Sequence, residues 1–93
     1  MPELRAEDIK IGRCYRGKKP APCRADGMVN DRQVRWMSAD LKELQYDGPA
    51  VQEGHHYPRL SMLAFLEWAS HDVTDDLPPG DWQSWEKYRE AKG

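Results

Sequence analysis

The chain has 93 residues, 32% of them Asp, Glu, Lys or Arg, yet its net charge at pH 7 is only −2. That length allows a single domain, and the near balance of charge excludes a disordered polyelectrolyte. No apolar run approaches the roughly 20 residues needed to cross a bilayer, and no signal peptide opens the chain, so a cytoplasmic, non-membrane protein is expected.

A domain this small buries only about two thirds of the surface its unfolded chain exposes. The four Trp, four Tyr and one Phe must therefore supply much of the core. Two cysteines, Cys14 and Cys23, make no disulfide framework and are expected to be reduced. Charge is unevenly placed. Residues 10–24 carry six basic side chains and no acidic one, whereas 61–93 carry seven acidic against three basic. Such a dipole steers partners without identifying them.

In chain order, residues 1–8 lack periodicity and read as frayed. A first strand is expected over 11–16, with Cys14 and Arg16 on one face, Tyr15 on the other, and Gly12 marking a bend. Residues 17–31 form a long connection broken by Pro20, Pro22 and the Asp26-Gly27 turn signal, held down by Met28 and Val29. Alternation over 33–38 and 41–46 predicts an antiparallel strand pair, with the core forming over Trp36 and Tyr46. Asp47-Gly48-Pro49 ends the second of these strands, 52–56 is a loop, and 57–60 is an edge strand confined there by Pro58.

Ser61 then caps a helix expected to run to about Asp72. Met62, Phe65, Leu66, Ala69 and Val73 share its apolar face, Glu67 and His71 lie opposite, and Trp68 sits on the flank. A proline-containing linker over 75–80 leads to a final amphipathic helix over 81–92, on which Trp82, Trp85 and Tyr88 recur every three residues. The expected organisation is a β-rich unit over 1–74 followed by a linker and aromatic segment over 75–93.

Four kinds of site suggest themselves. Cys14, Cys23, His55, His56 and His71 supply residue types used in nucleophilic catalysis, but no local motif joins them, so an enzyme is not expected. The same residues lack zinc-ligand spacing, and adjacent histidines on a strand point to opposite faces, so neither metal nor cofactor is expected. Arg13, Tyr15, Arg16, Lys18, Lys19 and Arg24 combine basic groups with a stacking ring, as single-strand binding surfaces do. Against that, the pI near 5.9 is well below that of a typical nucleic-acid-binding domain. Trp82, Trp85 and Tyr88 suit an interaction helix, with packing on the chain's own domain favoured because so small a domain needs the buried area.

Ile11-Gly12 with Tyr15-Arg16, then Arg32-Gln33-Val34, Leu44-Gln45-Tyr46, and Ser61 leading to Phe65 and Trp68-Ala69, resembles a group of small uncharacterised proteins of bacteriophage and prophage genomes. In these a Src-homology-3-like barrel precedes a helix ending in Phe-x-x-Trp-Ala. The resemblance spans about 9–73, leaves the Trp-rich tail uncovered, and departs at the 23–30 insertion, where a shorter turn belongs. It implies a fold and a phage-related bacterial origin, and no activity. The resulting expectation is an α+β domain: a small, partly open antiparallel barrel capped by one helix, with a C-terminal helical segment. It would act as a monomeric, non-enzymatic binding or accessory protein through protein contacts; the alternative is a nucleic-acid-binding barrel using 10–24.

Overall fold

The computed structural model describes residues 4–23, 27–51, 57–78 and 82–92. Its centre is the strand pair expected from the alternation: β2 (Arg32–Met37) and β3 (Glu43–Asp47), antiparallel, joined by a turn in which Leu41 adopts φ 59°. The Asp40 carboxylate holds that turn, accepting from the Ser38 hydroxyl at 2.7 Å and from the Lys42 N–H at 3.1 Å. Around the pair lie β1 (Cys14–Gly17), β4 (Arg59–Ser61) and β5 (Ala69–Asp72), giving one antiparallel sheet of order β4-β3-β2-β1-β5. Helix α1 (Met62–Trp68) connects β4 to β5, and α2 (Trp85–Lys92) ends the chain. The architecture is α+β. Among the described residues the sheet is open, with β4 and β5 as its two edges, so it does not form the partly open barrel expected.

One sheet face and α1 enclose the core. Ile9, Tyr15, Val34, Leu44, Met62, Phe65 and Ala69 are buried together, with Leu60, Leu66 and Trp68 packed at the margin. Ser61 caps α1 as expected, its hydroxyl accepting the Ala64 N–H. The helix stops at Trp68, however, four residues short of the expected end. Ala69 turns extended and the chain pairs with β1, Arg16 opposite His71 and Tyr15 opposite Asp72. Ser70, His71, Asp72 and Val73 are poor helix formers, and β1 offers an unpaired edge whose hydrogen bonds outweigh the amphipathic period. Val73 is still buried, just beyond β5, with its N–H donating to the Cys14 carbonyl at 2.8 Å.

Trp36 is the second correction. A bulge between Val34 and Trp36 places one extra residue in β2, so Arg35 and Trp36 both reach the outer side and the core forms over Val34 and Leu44. The third is the N-terminal segment. Residues 4–9 are ordered: Ala6–Asp8 forms a 3-10 turn and Ile9 is buried. The Tyr15 hydroxyl pins the segment by donating to the Asp8 carbonyl and accepting the Lys10 N–H.

Among the described residues, cover on the opposite sheet face lies over β1. There residues 21–23 pair with 28–30, Pro22 bridged to Val29 and the Cys23 N–H donating to the Met28 carbonyl at 2.8 Å. The C-terminal segment adds to it: the Val29 N–H donates to the Gln83 carbonyl at 2.8 Å and the Trp85 N–H to the Gly27 carbonyl at 3.0 Å. Gln83 and Ser84 are thus committed to backbone pairing, and the helix expected over 81–92 starts at Trp85; residues 79–81 lie outside the described residues.

Candidate binding face

The six residues of the basic candidate do not form one surface. Tyr15 is fully buried, its ring edge-on to Phe65 at 5.6 Å, so it offers no face for stacking. Arg16 is buried and donates to both carboxylate oxygens of Asp31, at 3.0 and 2.9 Å. Arg13 pairs with Asp72 at 2.8 Å and Asp75 at 3.5 Å. Lys18 and Lys19 are exposed, and Arg24 lies outside the described residues. The sequence signal was a run of charges along the chain, but strand alternation and β5 pairing distribute them among separate partners.

The aromatic candidate is brought together, against the chain's own body. Trp85 and Tyr88 stack at 5.3 Å, and the Tyr88 ring covers the Arg16 guanidinium at 4.9 Å. Trp82, Trp85 and Tyr88 are each half-buried. Together they close the β1 side of the outer face instead of projecting from it.

Among the described residues no group of three His, Cys, Asp or Glu side chains is placed to hold a metal ion, and His55 and His56 lie outside them. Cys14 and Cys23 are buried and not joined in a disulfide. Burial, aided by the Asp31 and Asp72 carboxylates, raises the pKa of the Cys14 thiol and holds it in the unreactive protonated form.

Among the described residues, what remains uncovered is the outer face of β2, β3 and β4. Trp36 pairs with Gln45 and Gln45 with Arg59, so these three side chains form a row across the strands. The Arg59 guanidinium lies over the Trp36 ring at 5.3 Å, and Arg35, pushed outward at the bulge, lies over the Tyr57 ring at 5.4 Å. Both rings are 39% exposed. Gln45 donates to the Tyr57 carbonyl at 3.2 Å, and Arg35 donates to the Gln33 side chain at 3.1 Å, which fixes the spacing of the two ring–guanidinium pairs. Glu43 approaches Arg59 at 3.7 Å, a solvent-exposed pair of little energetic weight. The face offers flat apolar area, guanidinium donors and neutral amides.

Sequence reasoning missed this face because it assigned Trp36 to the core. The available signal was the nearness of each aromatic residue to an arginine within a strand, Arg35-Trp36 and Tyr57-Pro58-Arg59. No protein-family model matches the chain, and no curated protein or solved structure is detectably similar to it.

Proposed function

We propose that the protein is a small, cytoplasmic, non-enzymatic binding module of phage-related origin that docks a protein partner on the open β2–β3–β4 face. The observation that carries this is the pair of half-exposed rings, Trp36 and Tyr57, each beside an arginine on a sheet face that nothing in the described chain covers. Trp, Tyr and Arg are the residues that dominate protein–protein hot spots. The partner it fits presents an apolar side chain to Trp36 and carboxylates within reach of Arg35 and Arg59. A meander of four strands with the fifth returning beside the first supports relating the fold to Src-homology-3-like barrels. The phage-related origin rests on the 9–73 resemblance alone.

Nucleic acid as the partner finds less support: the ring of the basic candidate is in the core, and the open face sets Glu43 among its arginines. Affinity capture from a bacterial lysate, comparing the wild type with a Trp36→Ala/Arg59→Ala variant of matched thermal stability, tests the proposal. A protein retained by the wild type and lost from the variant is expected; identical retention removes the face from consideration. Oligonucleotide binding that weakens steeply with salt would move the face to a polyanionic partner.

A further inference from the structure

The structure assigns a separate oxyanion-binding site to Arg32, on the core side of the sheet and independent of the open face. Arg32 starts β2 opposite Tyr15 of β1, and its side chain runs to the rim of the core. Tyr46 stands on the β3 side, and Trp68, against Gly17 of β1, on the other. The guanidinium carbon lies 4.5 Å from the Tyr46 ring centroid and 4.1 Å from that of Trp68. The indole is fixed in turn: Phe65 packs on it at 5.5 Å, the Trp68 carbonyl accepts the Lys18 N–H at 2.8 Å, and a methyl group at Gly17 would come within 2.6 Å of it. The guanidinium is therefore held in place before any ligand arrives, which lowers the entropic cost of binding.

Arg13, Arg16 and Arg59 each have a carboxylate partner. Arg32, by contrast, makes no ion pair and no side-chain hydrogen bond among the described residues, only its two ring contacts. Burial depresses its pKa, with no carboxylate to offset the desolvation. Among the described residues no fully buried side-chain nitrogen lacks a partner, so the N–H donors of Arg32 are not sealed in the core. With a ring against it on the β3 side and another on the β1 side, the guanidinium keeps its N–H donors for a ligand. Those donors match two oxygens of a carboxylate or phosphate group. A partly desolvated, immobilised cation without a counter-charge recovers its lost interaction by taking such a ligand.

Titration of the full-length protein with inorganic phosphate and, separately, acetate at constant ionic strength tests this by NMR. The Arg32 Nε–H and Trp68 indole N–H resonances, identified by the nuclear Overhauser contact between them, are expected to shift together. Half-saturation should fall at about 1–10 mM, the strength of a single bidentate contact. Response to phosphate alone or acetate alone assigns the ligand as tetrahedral or planar, and either supports the site. Arg32→Lys keeps the charge but loses the fork, and should weaken binding at least about tenfold; Arg89→Lys, exposed on α2 and away from both faces' rings, should leave it unchanged. Linear, unsaturated shifts, or equal affinity in Arg32→Lys, would overturn the proposal and leave Arg32 as a rim-closing residue. If Arg32→Lys does not fold, the wild-type titration decides by itself, since failure of the two resonances to saturate overturns the site.

Discussion

Asp31→Ala removes the counter-charge of a buried cation, and its cost can be worked from the structure. The Asp31 side chain is wholly inaccessible, and that of Arg16 is 11% exposed. Two hydrogen bonds of 2.9 and 3.0 Å join them beneath the Tyr88 ring. With the carboxylate gone, the guanidinium stays buried and uncompensated, a change that costs about 3–5 kcal/mol. A domain of this size has roughly 5–10 kcal/mol in total, so the variant should lie close to unfolding. Replacing both partners with apolar side chains, Arg16→Met with Asp31→Leu, removes the uncompensated charge, and such exchanges are often neutral or stabilising by about 1–4 kcal/mol. The double variant should therefore be more stable than Asp31→Ala. Glu43→Ala, which breaks the exposed pair with Arg59, should change stability by less than about 0.5 kcal/mol. Urea denaturation of the four proteins gives midpoints and slopes for direct comparison. An Asp31→Ala variant within about 1 kcal/mol of the wild type, or a double variant no better than the single, would refute the assignment of a dry, mutually dependent pair.

Phe65→Ala empties a site with no solvent exposure in contact with Tyr15 and Trp68, and should cost about 3–5 kcal/mol. Glu67→Ala, on the exposed side of α1, should cost under about 0.5 kcal/mol, and equal denaturation midpoints for the two would mean α1 faces otherwise. Gly48→Ala places a methyl group on the Asp31 backbone carbonyl, which cannot swing away as a side chain can; a loss of about 1–3 kcal/mol is expected, and an unchanged melting temperature would contradict it. For Asp72, burial pushes the carboxyl pKa up, but hydrogen bonds from Arg13 and Thr74 outweigh it and leave the pKa below its ordinary value. Its contribution is present above the unfolded value of about 3.9 and is lost as pH falls through the lower folded value. Asp72→Asn should flatten that part of the acid dependence of unfolding, and an unaltered curve would show the pairing to be energetically silent.

Local patterns in the sequence were enough to locate the β2–β3 pair, the Ser61 cap and the burial of Phe65, because each depends on residues within one turn or one strand. Alternation of period two marks a strand wherever one face is dry, and a hydroxyl before an apolar run caps a helix whatever the helix packs against. Long-range pairing decided the rest. Residues 69–72 keep a helical apolar period, yet the open edge of β1 draws them into a sheet across more than fifty residues of chain. The bulge in β2 depends on how β3 registers against it, and one residue of slip moved Trp36 from the expected core to the open face. The basic run over 10–24 looked like one surface until Asp72 took Arg13 and Asp31, with the Tyr88 ring, took Arg16. Which charges are paired and which rings are covered are properties of contacts between segments, and the free energies that set them do not exist until the segments meet.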